Sequence, residues 1–486
     1  MRKLELVMIA AAVVGAVATG SYPEAAVLVL LYLGCRLLER YIISASRAKI
    51  ENNALMQAEN GWTYEKAVAA PMRVEHFADN FAKFFPPVMA AAGAAAALIP
   101  SLVTGDWTYW VRVGCTFLII GCTGTLAASV SLAKRCGIAA ASARSIFFKS
   151  GEAMENISNM KVVALGKGAL TDGKYGLQRV VPAIAFEEED DEDGEEQEME
   201  TEEELILRLC AGAAEGLSHP AVRSILRAAE AWKIRPDQRE ELIETSEDGV
   251  CAKLPEGIVC FGDRKYFREK KIRLPEPVQA YGMQIYVALD GEHIGTLILQ
   301  DSIVQGAESL IMAIRHVGAK TVLMTEESTF NAETIARHLN IDQVRAELSG
   351  EKKAETMKDL RRKMGVTLYL GDGEGDASIM AAAEVSGSFD SGAAEAVEAA
   401  DILYAGKALQ PMEDSIDLAY LTTRVASENV FLACLIKAGI IFLGLVGYAN
   451  LWLTILADIG VAVICLVNAV HILATRKYRF RKKAPQ

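Results

Sequence analysis

Two carboxylates stand four residues apart in a run of glycines, Gly371-Asp372-Gly373-Glu374-Gly375-Asp376. Glycines let a backbone turn tightly, and Asp372 and Asp376 could together hold a hard cation such as Mg²⁺ through oxygen. A glycine-rich turn that caps a helix is the other reading of the same residues. A second pair, Lys437 and Asp458, is ionisable and lies inside long apolar stretches, which by default marks a functional site. The two stretches meet at a turn near Tyr448 to Asn450. At about 1.5 Å per residue, Lys437 and Asp458 sit roughly 16 and 12 Å from that turn, at similar depth on antiparallel helices. A lone charge there costs about 2.5–3.5 kcal/mol. An ion pair is therefore predicted, one that can open to offer Asp458 to a divalent cation.

Such residues need elements to hold them. Six apolar stretches approach the roughly 20 residues that cross a bilayer: Leu4 to Gly20, Glu24 to Leu38, Pro86 to Val103, Trp110 to Ala133, Val430 to Gly447 and Leu451 to Leu473. The first follows Arg2 and Lys3 and would also suit a signal peptide, but the second begins after only Ser21-Tyr22-Pro23, which favours a helical hairpin. Lys and Arg cluster before the first stretch and after the second, fourth and sixth. By the positive-inside rule both termini and all long loops are cytoplasmic. Transmembrane hairpins are thus expected at 1–40, 84–134 and 427–475, with a short cytoplasmic segment at 41–83 and a basic tail at 476–486.

The large cytoplasmic part alternates short apolar runs with helical patterns, which argues an α/β fold. Lys161 to Leu165, Lys320 to Met324 and Val366 to Leu370 read as buried strands. Ligands of open parallel sheets bind at such carboxyl ends. A domain at 135–175 and 276–426 would then carry an α+β insert at 176–275. The net charge of −13 comes from one run, since fourteen of the eighteen residues from Glu187 to Glu204 are acidic, and −13 + 14 = +1. That run reads as a solvated loop, and the charge balance of the remainder excludes a nucleic-acid binder. The nine scattered cysteines read as buried reduced thiols.

From Val366 to Ala405 the chain resembles the phosphorylation-domain hinge of the P-type ATPases, and nearly end to end it resembles their heavy-metal-transporting branch. Ser218-His219-Pro220 resembles the motif that holds adenine, Asp301 to Leu339 the stretch around the T-G-D loop, and Glu347 to Lys353 the P-x-x-K segment. Lys437, Asp458 and Asn468 resemble the zinc, cadmium and lead subgroup. The resemblance implies a six-helix membrane bundle, a haloacid-dehalogenase-like α/β domain and a nucleotide-binding-like insert using His219, Pro220, Gly249 and Gly262. It also implies an intramembrane metal site at Cys122, Lys437 and Asp458, and phosphorylation-domain remnants at Lys167, Thr325 and Lys353.

The departures are extensive. Where the family has the aspartate of D-K-T-G-T this chain has Gly166-Lys167-Gly168, so the nucleophile position is glycine. Thr325-Glu326-Glu327 replaces T-G-D, and Cys122-Thr123-Gly124 replaces C-P-C, losing one thiolate and the helix-breaking proline. About 45 residues without T-G-E stand where the family carries its actuator domain, and an amino-terminal metal-binding domain and two leading helices are expected to be missing too. Phosphoryl transfer needs an activated nucleophile, and thiolates give soft metals much of their affinity. The expectation is a catalytically silent pseudo-ATPase in the cell membrane that binds or regulates a transporter or other membrane protein. ATP and Mg²⁺ would bind weakly, ATP on the order of 1 mM, and Zn²⁺ or Cd²⁺ weakly in the membrane. A divergent active transporter and a passive metal-binding membrane protein are the alternatives.

Overall fold

The computed structural model describes residues 2–51, 63–183, 201–217, 220–246, 248–278, 280–445, 448 and 450–475. Thirteen strands form among them: β1 (Ile146–Phe148), β2 (Val162–Gly166), β3 (Thr171–Pro182), β4 (Glu241–Thr245), β5 (Gly249–Leu254), β6 (Gly257–Gly262), β7 (Met283–Leu289), β8 (Glu292–Ile303), β9 (Lys320–Met324), β10 (Gln343–Arg345), β11 (Thr367–Leu370), β12 (Val385–Phe389) and β13 (Ile402–Tyr404). The chain divides into two compact units. One comprises Met1–Leu165, Glu308–Val322 and Ser349–Gln486, and the other Gly166–Ala307 and Leu323–Leu348.

The first unit contains the apolar helices. Arg73–Thr104, Gln410–Gly444 and Leu451–Ala474 are, among the described residues, the three long and apolar enough to cross a membrane, while Leu4–Ala18 and Trp107–Ile120 are shorter apolar helices. Side chains fix several helix starts: Asp106 accepts from the Tyr109 N–H and Asn450 from the Leu453 N–H, satisfying amide donors that a helix end leaves free. The span expected as one helix from Trp110 to Ala133 is broken. Trp107–Ile120 and Gly124–Ser142 are separate helices, although the breaking proline is absent. The same unit holds most of a seven-stranded sheet, its part running in the order β1-β13-β12-β11-β2. β2, β11, β12 and β13 run parallel, and β1 is antiparallel at the edge. β2, β11 and β12 are fully buried, as continuous apolar runs in a parallel sheet require.

The second unit is built on an antiparallel sheet, β3-β8-β7-β6-β5-β4. It spans Thr171 to Ile303, wider than the insert bounds of 176–275, because β3 and β8 pair along their length. Helices Glu202–Ala214 and Pro220–Ala231 pack on one face around Leu207, Cys210 and Ile225. The end of the acidic run is helical. Thr201 and Glu204 form a reciprocal capping box at the start of Glu202–Ala214, where acidic side chains suit the helix dipole. The expectation of reduced thiols fails at one place. Cys251 and Cys260 are direct register partners on β5 and β6 and form a disulfide, while the other seven cysteines form none, six of them buried.

Candidate functional site

The residues singled out by sequence fall into four places. The first lies among the apolar helices. Lys437 Nζ is 2.5 Å from Asp458 Oδ1, with the two side chains only 6% and 10% exposed. Lys437 also donates to the backbone carbonyls of Ile120 and Cys122, each at 2.8 Å. Those carbonyls are set free where the helix breaks at Gly121-Cys122-Thr123. A carbonyl left unpaired in an apolar interior costs about 1–3 kcal/mol, so one ammonium balances the Asp458 charge and also satisfies the break. This is why the break survives without proline. The break is also crowded, since a Cβ at Gly121 would lie 2.6 Å from the Met8 methyl. Cys122 is buried, and its thiol donates to the Leu118 carbonyl at 3.4 Å.

Two residues here were not singled out from sequence. Glu5 is 7% exposed, and its carboxylate lies against Gly124, so that a Cβ at Gly124 would collide with it. Arg36 approaches Glu5 at 3.3 Å and is held by Glu39 at 2.9 Å and the Tyr32 hydroxyl at 3.0 Å. A carboxylate thus fills the space beside the third residue of Cys122-Thr123-Gly124. Glu5, Arg36, Asp79 and Cys122 share the wall of a cavity of about 430 Å³. The available signal was that Glu5 and Arg36, like Lys437 and Asp458, are ionisable residues in apolar helices.

The second place is the end of β2. Gly166 closes the strand, and Lys167 begins a short turn of helix. Lys167 Nζ is 2.5 Å from Glu327 Oε1 and 3.4 Å from Asp301 Oδ2, and 6.0 Å from the centre of the Tyr175 ring. Burial acts to lower the Lys167 pKa, but the hydrogen bond and charge of Glu327 outweigh it, so the pKa stands above its ordinary value. Thr325 is buried, with its hydroxyl accepting from the Glu327 N–H at 3.2 Å. The Lys167 ammonium is therefore occupied internally by carboxylates.

The third place is the turn after β11. Asp376 Oδ1 accepts from the Tyr369 hydroxyl at 2.7 Å, and Oδ2 from the Gly373 N–H at 2.9 Å. Both oxygens are thus used to shape the turn. Asp372 faces Lys407 at 3.6 Å, and burial pushes its carboxyl above the ordinary pKa against the pull of that lysine. Among the described residues no group of three or more His, Cys, Asp or Glu side chains is arranged to hold a metal. Asp372 and Asp376, expected as Mg²⁺ ligands, stand together at this turn with Tyr369, Gly373 and Lys407 as their protein partners. Lys353 lies in the first turn of Gly350–Met364, its N–H donating to the Ser349 carbonyl.

The fourth place is a cavity of about 610 Å³ whose wall includes Ala221, Val222, Gly249, Phe261 and Gly262. Pro220 opens the helix Pro220–Ala231. His219, residues 187–200 and the basic tail 476–486 lie outside the described residues. Gly249 and Gly262 are register partners across β5 and β6. A Cβ at Gly249 would stand 2.5 Å from the Tyr266 ring, and one at Gly262 2.5 Å from the Asp248 carbonyl. Packing alone demands both glycines, whatever binds beside them. Gly249→Ala is expected to cost about 1–3 kcal/mol through overpacking, seen as a lower melting temperature of the full chain. An unchanged melting temperature would show that Tyr266 does not press on this strand.

Residues 167–384 match the family model described as haloacid dehalogenase-like hydrolase. The architecture matches the crystal structure of a zinc-transporting PIB-type ATPase in the E2.Pi state, with TM-score 0.71 and 23% identity over 96% of this chain and 90% of that one.

The homologues of this chain are metal-transporting P-type ATPases. It is 29% identical over 415 residues to a zinc-transporting ATPase of Synechocystis sp., covering 84% of this chain and 55% of that one. It is 29% identical over 412 residues to a cadmium, zinc and cobalt-transporting ATPase of Helicobacter felis, covering 83% and 57%. It is 27% identical over 416 residues to the zinc/cadmium/lead-transporting P-type ATPase of Escherichia coli, covering 85% and 54%. The chain spans about half the length of these relatives.

Proposed function

We propose that the chain is a membrane protein of heavy-metal P-type ATPase architecture that does not turn over ATP and instead serves as a binding or regulatory partner of another membrane protein. In this reading six spans form the hairpins 1–40, 84–134 and 427–475, both termini are cytoplasmic, and the segment 41–83 replaces the actuator domain. One observation carries it: Gly166 ends β2, and the adjacent Lys167 is already held by Glu327 and Asp301. Glycine offers no carboxylate to phosphorylate, and the lysine that would meet a phosphate is neutralised in place.

The test is to incubate the purified full-length protein with γ-labelled ATP, Mg²⁺ and Zn²⁺ and quench with acid. No label is expected, and Gly166→Asp is not expected to introduce any. A labelled band that hydroxylamine removes from the wild-type protein would establish a divergent active transporter instead. A second reading, a passive metal-binding membrane protein, is favoured by the cavity that Cys122 shares with Glu5 and Asp79. Metal binding without ATP tests it separately.

A further inference from the structure

Cys251 and Cys260, joined across β5 and β6, have no part in the function proposed above. They are 4% and 8% exposed and pack with Tyr266, Phe267, Tyr286 and Ala288. Val250 and Ala252, the chain neighbours of Cys251, pack instead with the helices Glu202–Ala214 and Pro220–Ala231, so the disulfide lies on the other face of the sheet. The bond closes a hairpin that its ladder already closes. Ala252, Lys253 and Leu254 pair in unbroken register with Val259, Ile258 and Gly257 on the turn side of the cysteines, and Val250 pairs with Phe261 on the other side. Breaking the bond therefore leaves the hairpin its own pairing.

Access to the bond is set by β4. It is an edge strand, four of its five residues are exposed, and its register with β5 shifts between Leu242 and Glu244, beside Cys251. Such a strand is among the first to open locally. Glu244 is the register partner of Cys251, so its side chain shares the cysteine face. There it pairs with Lys270, whose ammonium stands 5.4 Å from the centre of the Tyr266 ring. The Glu244–Lys270 pair thus straps the edge strand to the aromatic residues packed on the disulfide. Cys260 has no such edge, since β7 flanks it inside the sheet, with Ala288 opposite.

We propose that Cys251–Cys260 is a reversible thiol–disulfide exchange site for a thiol of the glutathione class, gated by the Glu244–Lys270 strap. With β4 open, a glutathione thiolate attacks Cys251 Sγ and forms a mixed disulfide. The Cys251–Cys260 bond breaks, and its electron pair leaves on Cys260 Sγ, which takes a proton from water. A second glutathione thiolate attacks the glutathione sulfur of the mixed disulfide and releases Cys251 as a thiolate, which is protonated in turn. Two thiols are oxidised to one disulfide as the two cysteines are reduced. The reduced sulfurs stand at van der Waals separation, and on a close-packed face the added volume presses on Tyr266 and the strap. Reduction thereby loosens β4. The proposal rests on the cytoplasmic placement proposed above only for which reductant meets the pair, because cytosolic disulfides persist poorly.

The test equilibrates the purified full-length protein in detergent with mixtures of reduced and oxidised glutathione. Acid quenching, alkylation in denaturant and peptide mass spectrometry then read the two cysteines. They are expected to convert together, with both forms populated across cytosolic ratios, and to re-form the disulfide on reoxidation. Glu244→Gln should speed reduction about two- to fivefold, the opening that an exposed ion pair restrains. Glu256→Gln, which removes a partly exposed pair with Arg208, should leave the rate unchanged. Hydrogen exchange at Glu241–Thr245 should be faster in the reduced protein than in the oxidised one, and equally fast in Cys251→Ser combined with Cys260→Ser. If that variant fails to fold, the reduced and oxidised wild type still give the comparison. A pair that stays oxidised or stays reduced at every ratio would overturn the proposal. So would a Glu244→Gln rate equal to wild type, or β4 exchange that ignores the redox state. Reduction of the pair in intact cells by a membrane-impermeant phosphine would overturn the cytoplasmic placement and leave the exchange chemistry standing.

Discussion

Lys437→Met should be the most damaging single change in the membrane part of the protein, costing about 3–5 kcal/mol, the range for breaking a buried ion pair. The ammonium has three partners, the Asp458 carboxylate and the carbonyls of Ile120 and Cys122. Its loss leaves a buried charge and two carbonyls unsatisfied. Asp458→Asn removes only one of the three contacts, and Lys437 keeps both carbonyls, so this change should cost less. The double variant should cost less than the sum of the two singles, with a coupling of about 0.5–3 kcal/mol. Unfolding of the full chain in mixed detergent, followed for all four proteins, measures the cycle. Strict additivity, or an Asp458→Asn cost above that of Lys437→Met, would show that the lysine does not join the pair to the break.

How much of this was legible in the sequence depended on whether the cause was local. β2 and β11 were readable because parallel strands buried on both faces are short continuous apolar runs. The closeness of Lys437 and Asp458 was readable from depth alone, since a tight turn fixes the register of two antiparallel helices. What Lys437 does besides was not readable. Its two carbonyl partners belong to a distant helix, and no sequence pattern marks a break that glycine and an ammonium sustain where proline is absent.

The same limit hid three other features. The cysteines at 251 and 260 pair because β5 and β6 place them directly opposite, and register is a property of two strands together. Gly249 and Gly262 were legible as glycines that matter, but the Tyr266 ring that requires one of them comes from the next helix. The protein partners of Asp372 and Asp376 were not readable, because a sequence gives carboxylates without what they touch. The Tyr369 hydroxyl, the Gly373 amide and Lys407 were already there to claim them.

The end of β2 provides the second large effect. Asp301 is 6% exposed and Glu327 31% exposed, with Lys167 between them at 3.4 and 2.5 Å. Lys167→Met leaves two carboxylates without their shared cation, one of them deeply buried. A fully buried pair would cost about 3–5 kcal/mol when broken. Solvent reaches Glu327, so screening reduces this to about 1–3 kcal/mol. Glu327→Gln should cost less than Lys167→Met, because Lys167 retains Asp301. Combining Lys167→Met with Glu327→Gln should recover part of the loss by removing one of the stranded charges. This pattern separates an internal ion network from a phosphate-binding relic. A lysine kept for phosphate would be indifferent to Glu327, its loss would hardly change the melting temperature of the ligand-free protein, and added inorganic phosphate would stabilise the wild type but not Lys167→Met. Stabilisation of the wild type by phosphate would overturn the internal pairing. A melting temperature that falls with Lys167→Met, is partly restored in the double variant and ignores phosphate would establish that Glu327 and Asp301 hold Lys167 in an internal ion network.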